Sequence, residues 1–168
     1  MKKAIIVLSV ALASAWGFAD DAADPKAGIR KRTAEDRQTY SAEQLREIET
    51  LYQSANKELS NPEAKAALKT LIEKYPKANR TGCAVQYMGQ MSKGKEKEEY
   101  LLLAIKDFGD CYYGSGVQVG AYARLYLGHY YKGEGKEKQA QALFDEIRKD
   151  YPDAVNHKGK KLVDNLPK

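Results

Sequence analysis

Few residues in this chain are of types that do chemistry. Its 168 residues include two histidines, His129 and His157, and two cysteines, Cys83 and Cys111. Nucleophilic or metal-assisted hydrolysis needs bases and ligands at fixed spacings, and neither a GxSxG elbow nor an HExxH pair is present. GQMSKGK at 89–95 has the bare GxxxxGK spacing of a phosphate loop. However, Glu96 stands where a metal-binding hydroxyl is needed, and a helical pattern rather than a strand precedes it. An ordinary turn between helices accounts for it. GDCYYGSG at 109–116 has no lysine directly after its glycines and fares no better. No other thiol or imidazole ligand lies close in sequence to either cysteine, so a metal site is not expected. The chain therefore reads as non-catalytic, with no catalytic residue, metal or cofactor.

Tyrosine is in excess. There are twelve, with Tyr112, Tyr113, Tyr122, Tyr126, Tyr130 and Tyr131 close together. Each brings a large contact area and a polar tip at low entropic cost. Packing between helices claims Tyr131 and most of the others; a binding surface would claim the rest.

The elements that carry these residues are helical. In 121–154, Leu127, Gly128 and Tyr131 share one helix face, and Ala140, Phe144 and Ile147 share another. Gly133 and Gly135 mark the break, and Pro152 stops the second helix. The same register occurs earlier. Ser41 with Gln44 reads as a capping box, followed by Leu45, Ile48, Leu51, Tyr52 and Ala55. Pro62 opens a second helix with Ala64, Leu68 and Leu71 on its face, ending at Tyr75-Pro76. Tyr52 and Ala55 stand where the later unit has Gly128 and Tyr131, so volume is kept while its position swaps. A third unit over 82–113 is less regular: Val85, Met88 and Gly89, then Leu101, Ile105 and Phe108, with Ser92 small where a large residue is expected and Leu101 large where alanine is. Residues 109–116 should form a longer connection at the edge of the stack. Residues 154–166 read as a final capping helix using Val155, Leu162 and Leu166.

The termini read differently. Residues 1–19 have the pattern of a secretory signal peptide: Lys2 and Lys3, an apolar run, then small-residue cleavage sites at 13–15 and 17–19. An uncleaved anchor is the alternative, though the run is short for a span. No cysteine near the cleavage site could carry a lipid, and no other stretch is apolar enough to be a transmembrane segment. Residues 20–40 lack a helical period and are expected to be a flexible leader, its basic cluster solvated or touching an anionic lipid or glycan. Residues 41–168 are the repeat domain. The net charge is +5, falling to +3 without Lys2 and Lys3, a weak preference for anionic partners. Export disfavours nucleic acid as a partner.

The order Leu127-Gly128, Tyr131, Ala140, Phe144, Pro152, with its counterpart from Leu51 to Pro76, resembles the tetratricopeptide repeat (TPR), a helix–turn–helix unit of about 34 residues. The resemblance covers 44–154. Arg124 departs from it, since the family prefers a large aromatic there; Tyr122 or Tyr126 could supply that bulk. The endings YPKA and YPDA are similar to those of exported bacterial members, such as outer-membrane assembly and cell-envelope factors. The resemblance implies an all-α solenoid of about three TPR-like hairpins with a C-terminal capping helix. It also implies a groove lined by the first helix of each pair: Arg46, Glu49, Gln53 and Lys57, then Gln86, Gln90 and Lys93, then Tyr122, Leu125, His129 and Lys132. That face could hold an extended peptide, with lysines near acidic groups or a C-terminal carboxylate. A merely solvated groove is the plain alternative, and the lysine–asparagine clamp of chaperone-binding members is not reproduced.

In an exported chain two cysteines suggest one disulfide. In the repeat frame Cys83 starts the middle unit and Cys111 follows its end, so a Cys83–Cys111 bridge is expected, with two free buried thiols as the alternative. The expected function is a non-catalytic protein–protein interaction scaffold of the bacterial cell envelope, periplasmic or, as second choice, secreted. A soluble binding protein for a small ligand or cell-wall glycan is the other reading.

Overall fold

Ser41 and Gln44 do close a capping box. The Gln44 backbone N–H donates to Ser41 Oγ at 3.2 Å, and the Ser41 N–H to Gln44 Oε1 at 2.9 Å. It opens helix α2 (Ala42–Asn56), which pairs with α3 (Pro62–Lys74). The next pair is α4 (Asn79–Met91) with α5 (Gly94–Asp107), and the last is α6 (Val119–Gly133) with α7 (Glu137–Asp150). This computed structural model describes residues 26–56 and 62–167. The signal segment at 1–19, the start of the leader and Lys57 lie outside them.

Three consecutive hairpins make an all-α solenoid with one continuous core. Small residues set the spacing of the last two pairs. A Cβ on Gly128 would sit 2.5 Å from the Phe144 ring, and one on Gly89 would sit 2.7 Å from Leu101 Cδ2. The middle unit's irregularity is a compensated exchange. Large Tyr131 and small Ala140 are buried in the last hairpin, and the corresponding small Ser92 and large Leu101 are buried in the middle one. Arg124 occupies its unusual position with charge as well as bulk. Its guanidinium lies 5.0 Å from the Tyr151 ring centre, and Nε donates to Glu146 at 2.6 Å.

The phosphate-loop spacing at 89–95 is the turn between α4 and α5. Lys97 Nζ donates to the carbonyls of Gly89 and Gln90 at 2.9 and 3.0 Å, closing the end of α4. Among the described residues, no helix is long and apolar enough to cross a membrane.

Both flanks differ from expectation. Residues 27–39, expected within a flexible leader, form helix α1 (Ala27–Thr39). It buries no residue fully, so no apolar period announces it. Polar contacts hold it instead. Asp36 accepts from the Asn79 N–H at 3.1 Å and so caps α4 from another element. Arg32 donates to Lys77 O at 3.0 Å and pairs with Asp110 at 3.5 Å. At the other end, the expected capping helix is not one. Val155 and Lys161 form an antiparallel bridge around a tight turn, followed by a single 3-10 turn at Val163–Asn165. Asn156 Oδ1 accepts from the N–H groups of Lys158 and Lys160 at 2.9 and 3.1 Å, and Gly159 adopts φ +72°, a conformation that breaks a helix. The capping role persists through Leu162, which is 3% exposed.

Candidate functional site

Within the stack α2 touches α4 and α4 touches α6, while α3, α5 and α7 make no contacts of comparable extent with one another. The first helices therefore form the inner, more closely spaced layer. A run of aromatic rings crosses it. Tyr52 of α2 stacks on Tyr87 of α4 at 5.9 Å. Tyr87 meets Tyr113 edge-on at 5.4 Å, Tyr113 meets Tyr122 of α6 at 6.4 Å, and Tyr122 meets Tyr126 at 5.1 Å.

Tyr113 belongs to the loop expected at the edge of the stack. Instead the loop turns inward. An isolated bridge from Tyr112 to Gln118 extends the backbone, so neighbouring side chains point to opposite sides. The Tyr112 ring lies against Gly28 of α1, where a Cβ would come within 2.3 Å. Tyr113 enters the ring run, and its hydroxyl donates to Gln86 Oε1. His157, from the C-terminal turn, closes over both Tyr113 and Tyr122 at 4.9 and 5.2 Å, and its Nδ1 shares a hydrogen bond with Ser115 Oγ at 3.0 Å.

Beside this closure lies a cleft of about 540 Å³. One wall is α6: Tyr122, Leu125, Tyr126 and His129. The other is the C-terminal segment: Asn156, Lys158, Lys160, Lys161, Leu162 and Asn165. No lining residue is acidic. Lys161 is held by Asp153 at 2.8 Å, whereas the ammonium groups of Lys158 and Lys160 have no ion pair among the described residues. Burial, then the Tyr126 hydroxyl, pushes the Tyr122 phenol up. Burial, then nearby Lys132, holds His129 below the usual imidazole value, and burial alone does so for His157. Tyr122, His129 and His157 are thus neutral near pH 7, and the cleft's charge lies on its lysine side.

Of the residues assigned to the groove, Tyr122, Leu125 and His129 come together in this cleft. Arg46, Glu49 and Gln53 line a separate shallow hollow on α2. There Glu49 is bound by Arg80 at 2.8 Å and by Gln53 at 2.6 Å. Burial opposes ionisation of Glu49, but these two partners outweigh it and its pKa falls. Gln90 donates to Gln86 Oε1 at 2.6 Å, and Lys93 and Lys132 are exposed near the hairpin turns. Gln86 is a correction: fully buried, its amide supports Tyr113 rather than facing a partner. Lys158, Lys160 and Lys161 were not assigned, because a helical reading of 154–166 scatters them. The Asn156 and Gly159 turn signals were the available clue.

The expected Cys83–Cys111 bridge is not formed; both thiols are free and buried. They serve different neighbours. Cys83 Sγ donates to the Tyr112 carbonyl at 3.5 Å, while Cys111 Sγ lies 3.6 Å from the Arg32 guanidinium. Burial pushes the Cys111 thiol up to about 12 despite that cation, and Cys83 also rises by burial.

The shape of the hairpins has a counterpart in sequence. The tetratricopeptide repeat family model matches this chain at residues 50–78 and 122–154. The matched segments carry most of the first hairpin and nearly all of the last. The middle hairpin lies between them, outside the matched segments, and continues the same stack. No curated protein and no solved structure matches the chain.

Proposed function

We propose that this chain is a non-catalytic scaffold that holds an extended segment of a partner protein along the inner layer formed by α2, α4 and α6. One observation carries the reading: tetratricopeptide hairpins whose inner layer opens into a cleft with an aromatic wall and two ammonium groups that have no ion pair among the described residues. Tetratricopeptide repeats commonly serve protein–protein contact, and a polar inner face with aromatic anchors suits a peptide. The pattern at residues 1–19 supports an exported protein, and the scaffold is read as working in the bacterial cell envelope, in the periplasm first and secreted as second choice. The test is cross-linking of the full chain in living cells, with captured proteins read by mass spectrometry. One dominant partner is expected, lost when Arg46, Gln53, His129 and Lys132 are replaced together. Undiminished capture by that variant would overturn the inner-layer site. Capture of cell-wall fragments or a small molecule in place of protein would favour a soluble ligand-binding protein, a reading that Tyr122 and Tyr126 in the cleft also suit.

A further inference from the structure

We propose that the cleft between α6 and the C-terminal turn receives an acidic segment of the partner: one apolar side chain seats between its walls, and carboxylates on either side meet Lys158 and Lys160. This rests on the scaffold reading above and specifies the chemistry of what is held.

Charge complementarity selects the occupant. The lining holds three lysines and no carboxylate. Asp153 occupies Lys161, and Asp164 also lies near that residue, so the free charge belongs to Lys158 and Lys160. Their positions are prepared in advance. The two residues flank Gly159 at φ +72°, and Asn156 Oδ1 holds both of their backbone N–H groups, so little backbone entropy remains to be lost on binding. Between the lysines and α6, Leu125, Tyr126 and Leu162 offer an apolar seat. The volume of about 540 Å³ falls within the range of pockets that enclose a ligand. No arginine lines the cleft, and a phosphate site would favour that bidentate donor. Lysine point charges beside an apolar seat suit carboxylates flanking a hydrophobic anchor. The site also differs from a groove built by the repeat helices alone, because half of it comes from residues outside the hairpins.

The experiment uses the purified full chain and a short labelled peptide with a central phenylalanine among aspartates and glutamates, followed by fluorescence anisotropy. Binding is expected, weakening with salt. It should fall about tenfold or more in the Lys158→Glu, Lys160→Glu double variant, whose altered side chains are exposed and have no hydrogen bond or ion pair among the described residues. A peptide with lysines in place of the acids should then bind the charge-reversed chain better than the original. Leu125→Ala should weaken both pairings, reporting the anchor. Equal binding of the acidic peptide and its amide analogue would overturn the proposal, as would indifference to charge reversal. If cells yield a protein partner but the acidic peptide does not bind, the cleft proposal falls and the scaffold stands. If a polygalacturonate fragment binds at the cleft and the peptide does not, the occupant is an acidic glycan and the proposal falls.

Discussion

Helix α1 and the C-terminal turn flank the same stack of hairpins, yet different contacts dominate in holding them. α1 buries no residue fully and is fixed by hydrogen bonds and ion pairs through Arg32 and Asp36. The C-terminal turn inserts Leu162 into the core and lays His157 over two tyrosine rings. Both grip the loop between α5 and α6, from opposite sides: α1 takes Tyr112, and the turn takes Tyr113 and Ser115. The same short loop is therefore tied to α1 by a partly polar anchor, the Arg32–Asp110 ion pair beside the Tyr112 ring, and to the turn by an aromatic one. Segments without an apolar stripe take their conformation from what they dock against, not from their own periodicity.

The largest effect should come from the apolar anchor. Leu162→Ala should cost about 2–5 kcal/mol, read by chemical denaturation, and should open the cleft beside it. If stability is lost but peptide binding at the cleft persists, the turn does not form that wall. Next is the polar anchor. Asn79 donates to Tyr112 O at 2.8 Å and accepts from Tyr112 N–H at 2.7 Å, so Asn79→Ala should cost about 1–3 kcal/mol and expose 27–39 to limited proteolysis. Unchanged cleavage there would mean α1 is held independently of the loop.

The smallest effect separates the two flanks by pH. Burial lowers the pKa of His157 in the folded chain, so the unfolded chain binds the proton more readily. The corresponding stability is complete above the unfolded value of about 6.5 and is lost as pH falls through the lower folded value. Proteolysis of the C-terminal turn should therefore quicken on acidification from neutral pH, with a weaker response in His157→Gln. An identical response in both chains would assign the effect elsewhere, for instance to His129, which is also shifted downward.

The repeats were readable because their information is local. The apolar faces Ala64, Leu68, Leu71 and Ala140, Phe144, Ile147 are buried as their spacing requires, and the capping box at Ser41 and Gln44 needs only neighbours in the chain. The candidate site was half readable. Tyr122, Leu125 and His129 follow from helix periodicity, whereas Lys158 and Lys160 required knowing that Asn156 turns the backbone toward α6. Gln86 was misplaced for a related reason: its helix face is the inner layer, but Tyr113 from a distant loop covers it.

By itself, the amino-acid sequence determined three helical hairpins in one register, because period, caps and breakers act over a few residues. Only the tertiary structure decided that a polar leader becomes a helix and a helix-like tail becomes a turn. It also decided that two nearby cysteines face different partners and that a tyrosine loop fills the inner layer. Those outcomes depend on contacts between residues far apart in the chain, such as Asp36 with Asn79 and His157 with Tyr113, whose pairing no local pattern encodes.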